Sequence, residues 1–188
     1  MTKAGGAGTH GPALPSEWVL RGLHWLPTGA RTLDFASGTG RHARAADQRG
    51  LRVTASDRDA AALEQIGGTV RCMCADLEAG LWPFEPASFD AVIVTNYLYR
   101  PRFSELCGLL SPGGLLIYET FALGNERYGR PSNPDFLLQP GELFDRCREA
   151  GLAVLAFEDG VILTGRQARV QRIFAVRPPV NLEGFAIE

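Results

Sequence analysis

The segment Leu33-Asp34-Phe35-Ala36-Ser37-Gly38-Thr39-Gly40-Arg41 constrains this chain more than any other stretch. It joins an apolar run to a helical pattern through a turn built almost wholly of small residues. Without bulky Cβ substituents, the backbone N–H groups of such a turn can approach a ligand closely. A carboxylate, Asp34, stands four positions before Gly38. Two further acids end the next apolar runs: Asp57 follows 51–56 and Asp76 follows 70–75. Three acids at the ends of three successive strands outline a nucleoside pocket along one edge of a parallel sheet. The turn faces an amino-acid or phosphate part, Asp57 can take ribose hydroxyls, and Asp76 can meet an adenine.

The rest of the chain alternates strand and helix patterns. Ser16 is a candidate N-cap for a short amphipathic segment carrying Trp18, Leu20, Leu23, Trp25 and Leu26. Strands are expected at 32–35, 51–57, 69–75, 89–95 and 115–121, with helices at 40–48, 59–66 and 101–110. The run 77–88, with Pro83 and Pro86, reads as a loop, and 111–114 (Ser-Pro-Gly-Gly) as a turn. Residues 122–140 form a long polar loop dense in Gly, Asn and Pro; loops of that length are usually functional or disordered. A helix at 141–150 follows. Two closing runs, 152–158 and 170–176, have no helix between them and should pair as an antiparallel hairpin. The expected fold is α/β: a doubly wound, mainly parallel, seven-stranded sheet ending in an antiparallel hairpin. It places a flexible lead-in at 1–15, a single domain at 16–177 and a tail at 178–188.

The 188 residues are 45% hydrophobic and 21% charged, enough for one domain with a sizeable core. A net charge of −2 supplies no basic field for nucleic acid. No apolar run reaches membrane-span length, and 1–15 lacks the apolar core of a signal peptide. The expected compartment is the cytoplasm. Cys72, Cys74, Cys107 and Cys147 lack zinc-like spacing, so no metal is expected and the thiols should be reduced and mostly buried.

Gly38-x-Gly40-x-x-Ala43 also fits a dinucleotide fingerprint, with Asp57 near the ribose-binding distance. Against a nicotinamide reductase stand Asp34 inside the motif, the expectation of a single domain, and the expected closing hairpin. These features suit another family, and the sequence resembles the class I S-adenosylmethionine-dependent methyltransferases. The matching residues are Leu33-Asp34-x-x-x-Gly38-x-Gly40, Asp57, Asp76, Phe89-Asp90-Ala91-Val92 and Leu110-x-Pro112-Gly113-Gly114. The likeness spans about residues 30–177, with Ala36 standing where the family has its first glycine. The run 118–143 is similar to a stretch in small bacterial methyltransferases related to tellurite resistance.

That resemblance implies a Rossmann-like methyltransferase fold and S-adenosylmethionine as cofactor. Ala36, Gly38 and Gly40 would let the methionine part lie on the backbone. Asp34 would reach its ammonium, Asp57 the ribose hydroxyls, and Asp76 with the backbone of Leu77 the adenine. The transferable methyl should emerge beyond strands four and five, where Asn96, Tyr97 and Glu119 stand, together with Tyr128 and Arg130 of the long loop. Glu119 is the first candidate base or acceptor-orienting group, and Glu126 the second. Arg100, Arg127 and Arg130 are the cations that would bind an anionic acceptor; a soft chalcogen nucleophile would need no base. His42 reads as surface or cofactor-adjacent packing. The implied protein is a monomer or homodimer acting on a small molecule. A non-catalytic cofactor-binding protein is the alternative.

Overall fold

The computed structural model describes residues 14–165, 167–181 and 185. The lead-in expected over 1–15 and the tail over 178–188 lie mostly outside the described residues. Ser16 caps helix α1 (Glu17–His24), its side chain accepting from the Trp18 amide at 3.2 Å. The buried face of α1 is Trp18, Val19, Gly22 and Leu23. Trp18 stacks on Phe174 with ring centroids 4.0 Å apart. A Cβ on Gly22 would stand 2.7 Å from Ile117 Cδ1, so glycine is what lets α1 lie flat on the sheet.

Strands β1 (Arg31–Phe35), β2 (Arg52–Asp57), β3 (Arg71–Cys74), β4 (Phe89–Thr95), β5 (Leu110–Phe121), β6 (Ala153–Ile162) and β7 (Ala168–Val176) form one sheet. Their order is β3-β2-β1-β4-β5-β7-β6. The first five pair in parallel, and β7 runs antiparallel between β5 and β6. This is the expected mainly parallel sheet with its closing hairpin. Helices α2 (Arg41–Gln48) and α3 (Ala60–Leu63) follow β1 and β2; α4 (Phe103–Gly108) and α5 (Glu142–Glu149) precede β5 and β6.

The core divides by sheet face. Ile93, Ile117 and Phe174 pack with Trp18 and Leu23 of α1 and Ala43 and Ala46 of α2. Val92, Leu116 and Ile173 pack with Phe103 and Leu106 of α4 and Leu143 of α5. Ile93, Leu116 and Ile117 are fully buried, each worth about 1.5–3 kcal/mol against exposure. The central strands are apolar on both faces because helices cover both.

Several boundaries differ from the sequence reading. The helix expected at 59–66 shrinks to α3: Asp59 caps it, but the Gln65 and Ile66 amides bond only three residues back, which tightens the end into 3₁₀ geometry. The helix expected at 101–110 begins as a 3₁₀ turn, Arg100–Arg102, and becomes α-helical from Phe103. Residues 111–114 lie within β5, because the Gly113 amide and Gly114 carbonyl bond to Arg177 and Leu110 pairs with Phe89 ahead of a register shift. Cys107 and Cys147 are buried as expected, but Cys72 and Cys74 are exposed. They stand on β3, the edge strand, where both thiols bond to carbonyls on the α3 side, those of Leu63 and Arg58.

Candidate active site

The turn after β1 is held by three amide hydrogen bonds, two to carbonyls and one to a carboxylate. The Ser37 amide donates to the Ser56 carbonyl at 3.0 Å, Gly40 to Ser37 at 2.9 Å, and Gly38 to Asp57 Oδ2 at 2.7 Å. Ala36, Gly38 and Gly40 have φ of 56°, 53° and 73°. A Cβ on Gly40 would lie 2.6 Å from the Ile66 side chain. Glycine is therefore required there for both conformation and space. Ala36 adopts the same left-handed region despite its Cβ, a conformation costing about 1–2 kcal/mol in an L-residue.

Beside this turn lies a cavity of about 240 Å³. Ala36 and Asp57 line it from the ends of β1 and β2, Ala75, Asp76 and Leu77 from the end of β3, and Asn96 and Tyr97 from the end of β4. The acids brought together are thus Asp57 and Asp76, at the strand ends where the sequence put them. Asp57 also accepts the Asp59 amide through Oδ1 at 3.0 Å. Asp76 Oδ1 accepts the Glu78 and Ala79 amides at 2.9 and 3.0 Å. Those two bonds hold its carboxyl below the usual range. Asn96 sits at φ 54°, and its amide donates to the Glu119 carbonyl at 3.0 Å. The Tyr97 ring packs edge-on against Phe35, while its hydroxyl is buried without a hydrogen-bond partner among the described residues. Burial raises that phenol well above its ordinary range, so it stays protonated.

Asp34 and Glu119 stand behind this wall, on the face covered by α1 and α2. Asp34 is 1% exposed; its Oδ2 accepts the Ala43 amide of α2 at 2.9 Å. Oδ1 has no hydrogen-bond partner among the described residues. Burial pushes this carboxyl up to about 7. Glu119 is 6% exposed, with Oε2 lacking a hydrogen bond and lying 3.6 Å from Arg172 Nη1. His42, expected as surface or packing, is 1% exposed and bridges two elements. Its Nε2 accepts the Ser16 amide at 3.1 Å, which leaves Nδ1–H to donate to Thr95 Oγ1 at 3.2 Å. Burial pushes the imidazole down to about 3, so it is neutral.

Tyr128 and Arg130 stand apart from the cavity: no residue of 122–140 lines it. That loop is folded upon itself and onto the sheet. Buried Asn125 donates from Nδ2 to the Pro131 carbonyl at 3.0 Å and accepts the Arg169 amide at 3.1 Å. Ala122 and Leu138 form a parallel bridge. Arg100 reaches the loop as well, bonding the Asp135 and Leu137 carbonyls and gripping Glu142 through Nε and Nη2.

Sequence reasoning missed Arg58 and Glu78, which also line the cavity. Their signal was adjacency, one residue after Asp57 and two after Asp76. It also missed Arg172, which reaches Glu119 only through the β5–β7 register.

Residues 33–118 match a family model described as a methyltransferase domain. That stretch, just under half of the chain, is similar to a methyltransferase domain. Solved structures share its fold. One is an S-adenosylmethionine-dependent methyltransferase from Methanosarcina mazei, 17% identical at a TM-score of 0.66, covering 82% of this chain and 95% of that one. A TehB-like methyltransferase from Corynebacterium glutamicum is 16% identical at 0.64, covering 86% and 89%. TehB from Haemophilus influenzae is 15% identical at 0.68, covering 85% and 61%. No curated protein matches the chain in sequence. S-adenosylmethionine is the cofactor this similarity implies, and the residues present fit it. A small-residue turn with no room for a Cβ at Gly40 borders a cavity walled by strand-end carboxylates. The unpartnered Asp34 oxygen supplies a further acceptor. The methyltransferase match and the antiparallel β7 inside the sheet argue against the nicotinamide alternative. Among the described residues no helix is long and apolar enough to cross a membrane.

Proposed function

We propose that this protein is a cytoplasmic S-adenosylmethionine-dependent methyltransferase acting on a small-molecule acceptor, as a monomer or homodimer. The observation that carries the reading is the cavity in which Asp57 and Asp76 converge beside the glycine turn. In this reading Asp57 accepts the ribose hydroxyls, and Asp76 with the Leu77 backbone addresses the adenine. The turn at Ala36, Gly38 and Gly40 carries the methionine part, and Asp34 takes its ammonium. Asn96 and Tyr97 border the transferable methyl. The four free cysteines fit a reducing compartment.

When bound, the cofactor supplies an electrophilic methyl on a sulfonium. The protein contributes orientation and exclusion of water; good juxtaposition supplies about 7–11 kcal/mol of such a barrier. Glu119, two residues before the end of β5 and beside Thr95, orients the acceptor or takes its proton. Tyr128 and Arg130 would meet an acceptor only by movement of the loop that Asn125 pins.

Isothermal titration with S-adenosylmethionine, S-adenosylhomocysteine and NADH tests the assignment. Micromolar or tighter binding of S-adenosylhomocysteine is expected. No heat from it, with clear heat from NADH, sinks the reading.

A further inference from the structure

Two buried carboxylate oxygens lack a hydrogen-bond partner among the described residues, Asp34 Oδ1 and Glu119 Oε2. Both belong to the sheet face covered by α1 and α2. Asp34 bonds to Ala43 of α2, and Glu119 follows Ile117, which packs against α1, by two residues. Asp34 pairs with Ile93 and Glu119 with Thr95, so the two acids flank the end of β4. Two strand spacings, with the two-residue offset from Ile93 to Thr95, separate their backbones by about 12 Å. In the reading above, Asp34 serves the cofactor. Glu119 holds the oxygen left over, on the residue whose carbonyl accepts the amide of cavity-lining Asn96.

The cation opposite Glu119 does not use it up. Arg172 reaches Oε2 only at 3.6 Å, while it holds Glu158 at 2.8 and 2.6 Å and lies 4.8 Å over the Trp18 ring. One guanidinium serves two carboxylates, and the trio keeps a negative charge. Neutral His42 has both ring nitrogens engaged and cannot replace Glu119 as a base. Arg100, which an anionic acceptor would need, is tied to Glu142 and to two loop carbonyls. The adjoining cavity adds Asp57, Asp76 and Glu78 against Arg58, with Arg102 acting on Asp76 from outside the lining. This balance of charge repels an oxyanion and attracts an ammonium.

We propose that Glu119 binds the methyl acceptor directly and that the acceptor is a small amine; this rests on the methyltransferase reading above. The acceptor binds as an ammonium hydrogen-bonded to Glu119. One N–H proton passes to the carboxylate and on to solvent. The freed nitrogen lone pair forms the N–C bond to the methyl, and the S–C bond breaks with its electron pair staying on sulfur. The product leaves as the N-methylammonium, so each turnover releases one proton.

The test compares S-adenosylhomocysteine with sinefungin, in which an ammonium-bearing carbon replaces the methylsulfonium, by calorimetry on the full chain. Sinefungin should bind at least tenfold tighter in the wild type. Glu119→Gln should lose most of that preference while its affinity for S-adenosylhomocysteine stays within threefold. A preference that survives Glu119→Gln overturns the proposal. If the variant does not fold, the wild type decides: no preference for sinefungin overturns it. Label transfer from methyl-labelled cofactor to a panel of ethylamine, putrescine, phenethylamine, acetate, selenite and thiophenol adds a second readout. Label is expected on an amine and should fall at least 100-fold in Glu119→Gln. Methylation of an oxyanion or thiolate that Glu119→Gln leaves unchanged also overturns it. If S-adenosylhomocysteine does not bind at all, the methyltransferase reading fails instead.

Discussion

The Gly38 amide donates to Asp57 Oδ2 at 2.7 Å, tying the turn after β1 to the acid that ends β2. The other carboxylate oxygen takes the Asp59 amide, at the N-cap of α3. One side chain therefore faces the cavity and also fixes the backbone on either side of it.

Asp57→Ala removes both functions. Affinity for S-adenosylhomocysteine should fall by about 1–3 kcal/mol, the cost of leaving polar partners unpaired. Because the Gly38 and Asp59 amides lose their acceptor, thermal stability should fall too. Calorimetry together with a melting curve checks both; unchanged affinity in a folded variant would reduce Asp57 to a capping role.

Asp34 and His42 pull the pH dependence of stability in opposite directions. The folded carboxyl holds its proton up to about 7, against about 3.9 in an unfolded chain. Between those values the folded state binds more protons, so stability falls as pH rises. The folded imidazole stays neutral down to about 3, against about 6.5 unfolded. Over that range the unfolded state binds more protons, so stability falls as pH drops. Each contributes a slope of about 1.4 kcal/mol per pH unit, and between about pH 4 and 6.5 the two nearly cancel. Asp34→Asn should make the protein lose stability steadily from pH 6.5 to 4.5. His42→Asn should make it gain stability over the same range. Urea melts at four pH values distinguish this from parallel curves, which would refute it.

Ala36 pays for its left-handed backbone at φ 56° with a Cβ that glycine lacks. Ala36→Gly should stabilise the fold by about 0.5–1 kcal/mol, the relieved strain less the added unfolded-state entropy. A lowered melting temperature would show that the Cβ contributes packing worth more than the strain.

Asn125 is the buried pin of the 122–140 loop, bonding Pro131 on one side and Arg169 of β7 on the other. Asn125→Ala should cost about 1–3 kcal/mol of stability by orphaning those backbone groups. Because no residue of the loop lines the cavity, affinity for S-adenosylhomocysteine should hold. Faster proteolysis within 122–140 at constant affinity is the expected pattern; a matching loss of affinity would contradict it.

What the sequence determined by itself was local. The small-residue turn at 36–40, the acids closing β1, β2 and β3, and the caps at Ser16 and Asp59 are written in neighbouring residues. Backbone conformation and side-chain period act over a few positions, so they can be read there. The closing hairpin was legible for the same reason, since two strand runs without an intervening helix must return antiparallel. Only the tertiary structure decided the rest. Arg172 meets Glu119 because β7 inserts between β5 and β6, and no local pattern states that register. His42 is buried because α1 brings the Ser16 amide to one ring nitrogen while β4 brings Thr95 to the other. Cys72 and Cys74 are exposed because β3 is the edge of the sheet, and the 122–140 loop is held by a side chain that finds its partner on β7. These contacts join residues far apart along the chain, and burial and charge pairing at such places follow from packing, which acts on the folded molecule as a whole.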